Sequence, residues 1–209
     1  MKSLAKREAF LLAMHFKYYI IYKPYMVLSQ FTATPGKLCL KDFFTVEKNV
    51  YPVGRLDYDS EGLLLLSNDP SLNHRLLHPK FVHEREYLAQ CEGTITEAAQ
   101  HQLTAGVHIN INGEKYLTRP CRSQLLKNAP QVPDRNPPIR FRKNVSTSWI
   151  KLVLTEGKNR QVRKMMAQTG FPVLRLIRTR IENISLQRMQ PGDIHPLSRH
   201  TIISQLFGK

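Results

Sequence analysis

Short runs of apolar and β-branched residues alternate with turn residues along most of the chain, and no internal repeat is evident. Runs of this length, bounded by Gly, Pro, Asn or Asp, are typical of β-strands. The runs that predict strands are FKYYIIYKP (16–24), VYPVGR (50–55), LLLLSN (63–68), REYLAQCEG (85–93), WIKLVL (149–154) and FPVLRLIRTRI (171–181). VHINING (107–113) predicts a hairpin, because an Asn-Gly pair favours a tight turn.

Only a few short helices are predicted between these strands. PSLNHRLLH (70–78) begins with residues that favour a helix start, and residues 159–168 should form a helix that ends at Gly170. Thr94-x-x-Glu97 matches a capping box before AAQHQL. We therefore predict a strand-dominated α+β chain.

Two segments lack a regular pattern. The first 15 residues predict a short helix or a frayed tail. Residues 127–144 are rich in proline and in basic residues, and so much proline forbids regular ladders. We expect a long loop there.

The charge balance narrows the function. The chain has 209 residues with 31 Lys and Arg against 16 Asp and Glu, a net charge of +15. Such an excess favours a polyanionic partner, either nucleic acid or an anionic membrane. No apolar run approaches the roughly 20 residues that span a bilayer. Nucleic acid is therefore the preferred partner, and the cytoplasm the expected compartment.

Cys39, Cys91 and Cys121 lie far apart and show no C-x-x-C spacing. This pattern is typical of reduced thiols in a cytosolic protein and not of a disulfide framework. The eight histidines have no ligand-like spacing with them. We expect no metal held by Cys or His.

The segment VGRLDYDSEGLLLLSND (53–69) places Asp57, Asp59 and Glu61 within five positions. Carboxylates between apolar strands suit three chemistries: Mg²⁺-assisted phosphoryl transfer, an acid/base pair on a sugar, or a single nucleophile. They also suit a turn with solvated acids, or an Asp59 side chain that caps local backbone amides. The spacing alone leaves these alternatives open.

Basic residues concentrate in the second half of the chain. Residues 134–188 hold 13 Lys or Arg against three acidic residues, and Arg160, Arg163 and Lys164 share one side of the predicted helix. They could form a solvated face on a core-packed helix or contact RNA phosphates.

Residues 54–69 read G-R-L-D-x-D-S-E-G-L-L-L-L-S-N-D, which resembles the signature of bacterial RNA pseudouridine synthases of the RsuA type. Three further segments resemble that family's motifs in the right order: YKPYMVLSQFT (22–32), REYLAQCEG (85–93) and LTEGKNRQVRKMMAQTGFPVLRLIR (154–178). RNPPIRFRKN followed by STSWIKL most resembles the type-E subgroup, which acts on large-subunit ribosomal RNA.

The resemblance implies a fold and a reaction. The fold would be a mixed, mostly antiparallel sheet in two half-domains with the active-site cleft across its middle. Residues 16–209 would form this catalytic domain, and residues 1–15 a tail with no S4 RNA-binding domain. The reaction converts a uridine of 23S rRNA to pseudouridine and needs no cofactor or metal. We expect a monomer without membrane partners.

The resemblance also implies roles for single residues. The family's nucleophilic aspartate falls on Asp57, and Asp59 and Glu61 are assigned to hydrogen bonding within the loop. Tyr87 is expected to pack against the uracil and act as a general base; the alternative is a core aromatic residue. Arg163 is expected to pair with Asp57; the alternative is a phosphate contact.

Leu176 matches the apolar residue that walls the uracil pocket in this family. Arg55 is a candidate to fill the space left by a flipped uridine, with a salt bridge to Asp59 as the alternative. The other predicted RNA-binding residues are Lys23, Arg140, Arg142, Asn159, Arg160, Gln161 and Lys164. Attack on the sugar, attack on the base and a glycal route all stay open. The rival functions are a catalytically silent RNA-binding or assembly factor on the same fold, and a Mg²⁺-dependent nuclease.

Overall fold

The computed structural model describes residues 16–140 and 145–208, so the predicted tail (1–15) and Arg142 lie outside the described residues. The strands are, in chain order, β1 (Tyr18–Lys23), β2 (Val27–Leu28), β3 (Leu38–Cys39), β4 (Tyr51–Val53), β5 (Glu61–Ser67), β6 (Arg85–Glu92), β7 (His108–Ile111), β8 (Glu114–Leu117), β9 (Arg122–Leu126), β10 (Thr147–Leu154), β11 (Val173–Ile181), β12 (Ile184–Ser185) and β13 (Ile194–Pro196). The helices are α1 (Pro70–Leu77), α2 (Glu97–Ala105), α3 (Gln161–Gln168) and α4 (Arg199–Phe207), and 3₁₀ turns cover Leu40–Asp42 and Pro79–Phe81.

Nine of these strands form one sheet in the order β13-β1-β5-β11-β6-β10-β9, with β4 on β5 and β12 on β11. Every pair within it is antiparallel except β5 with β11, which run parallel at its middle. Two small pairs, β2 with β3 and β7 with β8, complete the strands. This mixed, mostly antiparallel sheet confirms the predicted α+β class.

The central cleft arises because two strands share one edge of β5. Along its other edge β5 pairs with β1 from Gly62 to Ser67. Along the shared edge, β11 pairs only with Glu61 and Gly62, and β4 pairs with residues 65–67. The sheet therefore opens between β11 and β4, and the acidic loop that joins β4 to β5 lies at this opening.

Strand β5 is buried along its whole length, which explains its unbroken run of leucines. Leu63 and Leu65 pack into one core cluster with α1 and α4, whereas Leu64 and Leu66 pack into another with Leu40. The alternation follows the two-residue period of a strand. Both faces of β5 are thereby covered, and the acidic loop is attached to a strand that is buried along its whole length.

Gly62 allows β5 and β11 to approach closely. Its φ is +106°, and a Cβ at this position would lie 2.3 Å from the backbone oxygen of Arg178. A side chain here would push the two strands apart.

The structure corrects two details of the sequence analysis and adds several elements, among them β2, β3 and β9. Helix α2 is capped by Thr96, whose hydroxyl accepts from the Ala99 amide, and not by Thr94, which contacts Ser146. Helix α3 begins at Gln161, two residues later than predicted. The sequence analysis did not predict β12, β13 or α4, which follow the last long apolar run.

A buried ion pair ties β5 to β11. Arg175 donates from Nε and Nη2 to the Glu61 carboxylate at 2.8 and 2.9 Å, and the exposed fractions of these side chains are 6% and 1%. Arg175 Nη2 also donates to the Pro133 carbonyl, which anchors the proline-rich loop to the sheet. Glu61 is therefore a structural residue.

We expect Glu61→Gln to lower the free energy of unfolding by about 3–5 kcal/mol, because it leaves the Arg175 charge buried without a counterion. Urea unfolding measures this. Glu47→Gln is the matched control, because its ion pair with Lys17 lies at the surface and is screened by water. Equal midpoints for the two variants would contradict the structural role of Glu61.

Candidate active site

A cavity of about 500 Å³ lies at the opening between β11 and β4. Its walls come from the acidic loop, from β6 and β11, and from the turn before α3. The predicted site residues that line it are Arg55, Asp57, Tyr87, Asn159, Arg160, Gln161 and Leu176. This volume suits one nucleotide-sized group.

Asp57 is positioned through the residue before it. Leu56 is 8% exposed and packs into the core cluster of Leu40, and Ser29 clamps its backbone. The Ser29 hydroxyl donates to the Leu56 carbonyl at 2.8 Å and accepts from the Leu56 amide at 3.1 Å. The Ser60 amide then donates to the Asp57 carbonyl at 3.1 Å and closes the turn. These bonds fix where the Asp57 side chain leaves the backbone.

Asp59 is held by two arginines from α3 and the turn before it. Arg160 donates from Nη1 and Nη2 to the two carboxylate oxygens, each at 2.8 Å, and Arg163 Nε lies 3.4 Å from Oδ2. Burial raises the pKa of the Asp59 carboxyl, but the bonds from Arg160 and the nearby Arg163 charge outweigh it and hold this pKa below its usual value. Asp59 is thus an ionised anchor.

Asp57 has no such partner. Its closest cation is Arg160, whose Nη1 lies 3.8 Å from Oδ2, and no hydrogen bond reaches its carboxylate from the described part of the chain. The side chain is 30% exposed and lines the cavity. Of the three clustered carboxylates, Asp57 alone is free to act on a ligand.

The structure does not show the predicted direct pair between Arg163 and Asp57. Arg163 Nη2 donates to the Asp59 carbonyl and, at 3.4 Å, to the Ser60 hydroxyl, and Nη1 donates to the Val173 carbonyl at 3.2 Å. Arg163 is not among the residues that line the cavity. Arg163 holds the acidic loop against α3, because it contacts both the carboxylate and the backbone carbonyl of Asp59.

Tyr87 and Leu176 form an apolar wall beside Asp57. They lie on neighbouring strands, where Tyr87 of β6 pairs with Arg178 and Leu176 of β11 pairs with Ala89. Leu176 is only 4% exposed, and its position on the cavity surface leaves an apolar face for a flat group. The site therefore combines a free carboxylate with an apolar wall.

The sequence profile of the RNA pseudouridylate synthase family matches residues 17–168. The chain belongs to this family. It is 44% identical over 87% of its length to the ribosomal large subunit pseudouridine synthase E of Vibrio vulnificus, of which it covers 75%. It is 45% identical over 83% of its length to the protein of that name from Xanthomonas campestris, of which it covers 91%.

A solved structure described as a pseudouridylate synthase superposes with a TM-score of 0.74 and 25% identity, over 92% of this chain and 74% of that chain. The predicted family, fold and enzyme class are confirmed.

The family motif in β1 contains Lys23, which the structure places inside the protein. Its side chain is fully buried, and Nζ donates to the carbonyls of Pro24 and Val27 at 2.9 and 2.7 Å. Burial lowers the pKa of Lys23 to about 7, although the charges of Glu61, Asp59 and Asp57 oppose the shift. This position does not support the predicted direct RNA contact. The Lys23 ammonium interacts instead with the negative charges of the acidic loop.

The other predicted RNA-binding residues fall into two groups. Arg55 and Asn159 are exposed at the cavity, and Arg55 has no ion pair within residues 16–140 and 145–208, so its alternative salt bridge with Asp59 is absent. Gln161 is 4% exposed and donates to Glu156 at 2.5 Å, which makes it part of the loop scaffold. The predicted residues outside the cavity lining are Arg140, which is exposed, and Lys164, which is half-buried.

Two arginines on the strands that line the cavity were missed in the sequence analysis. Arg85 of β6 donates to the carbonyls of His83 and Leu76, and Arg178 of β11 donates to the Leu63 carbonyl. Each lies two residues from a predicted wall residue, so the strand period could have indicated them.

Within the described ranges, no group of three His, Cys, Asp or Glu side chains is arranged to hold a metal. None of the described helices combines the length and apolar character that crossing a bilayer requires.

Lys23 should make stability depend on pH. Between pH 7 and its unperturbed pKa of 10.5, the folded lysine binds fewer protons than the unfolded chain, so stability rises with pH across this window. Below pH 7 the cost of the buried charge is fully present. The free energy of unfolding of Lys23→Met, relative to that of the wild type, should therefore be highest near pH 6. This difference should disappear by pH 10.

Urea unfolding at pH 6, 8 and 10 measures the effect, with Lys17→Met as an exposed control. A difference between wild type and Lys23→Met that is constant over this range would contradict the buried ammonium.

Proposed function

We propose that this enzyme isomerises one uridine of large-subunit (23S) ribosomal RNA to pseudouridine, with Asp57 as its nucleophile. One observation carries the proposal: of three clustered carboxylates, Asp57 alone accepts no hydrogen bond from an arginine of the described residues. Its ion pair with Arg160 is long, at 3.8 Å, and it faces a cavity with an apolar wall. The names of the type-E relatives support the large subunit as the substrate.

The reaction breaks the bond between ribose C1′ and uracil N1 and joins C1′ to uracil C5. Asp57 attacks C1′ and holds the ribose while the freed base rotates, since a free carboxylate is a competent nucleophile in such a step. After C1′ bonds to C5, Tyr87 removes the proton from C5 as a general base. Leu176 and Tyr87 pack against the uracil and keep it in the cavity while it rotates.

The target uridine must leave its stack before Asp57 can reach the glycosidic bond. Arg55 is exposed at the cavity two residues before Asp57, and its planar guanidinium can stack on the neighbouring bases. It would occupy the space that the uridine leaves.

Free cations at the cavity would bind the RNA backbone. Arg55, Arg119 and Lys158 line it, and their side chains form no ion pair with a carboxylate in the described part of the chain. Arg140, Arg142 and Lys164 would extend this basic surface. We propose that the enzyme acts as a monomer in the cytoplasm, where its substrate is made.

The function is tested by incubating the protein with unmodified large-subunit RNA and mapping pseudouridine by chemical labelling. We expect conversion at one position. RNA binding without any conversion would support a catalytically silent factor instead.

Asp57→Asn keeps the size of the side chain but removes its nucleophilic charge. We expect a folded protein that binds RNA and has less than about a thousandth of wild-type turnover, the scale of loss when a nucleophile is removed. Asp59→Asn is the matched comparison: it weakens the contacts that position the loop but leaves the nucleophile in place, so it should lose much less activity than Asp57→Asn. Turnover by Asp57→Asn above a tenth of wild type would remove Asp57 from this role.

Arg55→Ala should slow turnover on structured RNA more than on a flexible single-stranded analogue, because only the duplex requires a filler for the vacated stack. Single-turnover rates on the two RNAs measure the difference. Equal slowing on both would show that Arg55 only contacts the backbone.

A further inference from the structure

Arg178 carries a buried charge that has no partner among residues 16–140 and 145–208. It lines the cavity with only 5% of its surface exposed. Its Nε donates to the Leu63 carbonyl at 2.8 Å, and in the described structure neither Nη atom has a hydrogen-bond partner. Four of its five N–H groups are therefore unused.

No carboxylate of the described residues forms an ion pair with Arg178. Arg163 and Arg175 each contact an acidic side chain, whereas the charges that act on or near Arg178 include the cations Lys23 and Arg85. A buried cation without a counterion costs free energy, and buried donors without acceptors add to the cost. An arginine kept in this state at a cavity is suited to an oxygen ligand that enters from outside.

The strand geometry places the ligand. Arg178 lies two residues after Leu176, on the same face of β11, and pairs with Tyr87 across the sheet. Arg178 also pairs with Gly62 of β5, and its guanidinium reaches the carbonyl of the next residue, Leu63. Arg178 therefore lines a buried part of the cavity next to the apolar wall, whereas Arg55 is exposed.

We propose that Arg178 donates hydrogen bonds to a carbonyl oxygen of the target uracil and stabilises the negative charge that the base acquires during isomerisation. This inference rests on the proposed function and adds a catalytic residue to it.

The charge appears when the electron pair of the C1′–N1 bond passes to the ring as Asp57 bonds to C1′. The resulting uracil anion shares this pair among N1 and its two carbonyl oxygens. The charge disappears when C5 bonds to C1′ and Asp57 leaves as a carboxylate. Tyr87 then removes the proton from C5, and N1 takes up a proton to complete the pseudouridine. Because the Arg178 guanidinium is buried and held in place, it would stabilise an anion at a carbonyl oxygen more strongly than a solvated cation.

Arg178→Met and Arg178→Gln test the proposal, with Arg180→Met as the control on the same strand, outside the cavity lining. Thermal unfolding checks that each variant is folded. On a short RNA that contains the target uridine, we expect both Arg178 variants to lose about 100-fold in single-turnover rate, with RNA affinity within a few-fold of wild type. Arg180→Met should keep the wild-type rate.

A second substrate tests the charge directly. In 5-fluorouridine the fluorine stabilises the base anion, so cleavage depends less on Arg178. We expect the loss caused by Arg178→Met, measured as consumption of the target nucleoside, to shrink at least several-fold on this substrate. An equal loss on uridine and 5-fluorouridine would overturn the proposal.

A third substrate distinguishes the uracil from the RNA backbone. Methylphosphonates beside the target uridine remove phosphate charge, and we expect them to weaken wild type and Arg178→Met equally. A variant that is insensitive to them would assign Arg178 to phosphate and overturn the proposal, as would wild-type turnover by Arg178→Met. A wild-type protein that converts no uridine would instead refute the proposed function itself.

Discussion

The carboxylate of Asp59 joins two parts of the chain that lie about 100 residues apart, and the active site depends on this contact. Arg160 and Arg163 converge on it from α3 and the preceding turn. The acidic loop is thereby held against α3, and the negative charge of Asp59 is neutralised. Asp57, two residues earlier, lines the cavity, and its ion pair with Arg160 is long, at 3.8 Å. The same segment uses Glu61 in a buried pair with Arg175. Asp59 and Glu61 are thus bound by arginines, and we propose that these contacts position Asp57. This explains why a strongly basic protein has three carboxylates in one short segment.

The basic residues divide in a corresponding way. Arginines that face the sheet interior are bound to carboxylates or to backbone carbonyls, and they hold β5, β6 and β11 around the cavity. Exposed cations such as Arg119 and Lys158 have no acidic partner in the described residues and are available to RNA. Arg178 differs from both groups, because it is buried and bound to one backbone carbonyl but forms no ion pair and leaves its Nη atoms without hydrogen-bond partners in the described residues. Net charge alone did not separate these roles; burial and pairing do.

Local patterns were sufficient for much of the fold. The apolar runs predicted β1, β5, β6, β10 and β11, and the Asn112-Gly113 pair predicted the β7–β8 hairpin. The helix cap at Thr96 was misjudged, because two threonines compete within three positions and tertiary contacts with Ser146 decide between them. The C-terminal elements were missed since β13 and α4 are short and gain their stability by packing on β1 and β12.

The active site shows the same difference between what local patterns predict and what tertiary packing decides. The motif pointed to Asp57, Tyr87 and Leu176, and the structure brings all three to one cavity. The partner of Arg163 and the burial of Lys23 could not be predicted, because both depend on how distant strands and α3 pack. A sequence shows which charges are present, whereas the fold decides which of them neutralise each other.

A crystal structure of the Asp57→Asn variant with a bound RNA fragment tests the central claim most directly, since the variant should hold its substrate without turnover. We expect the target uridine flipped into the cavity, with ribose C1′ in contact with the residue 57 side chain and the uracil against Tyr87 and Leu176. Asp59 should remain bound to Arg160 and Arg163. A ribose that contacts Asp59 instead, or a uridine that stays stacked outside the cavity, would contradict the account.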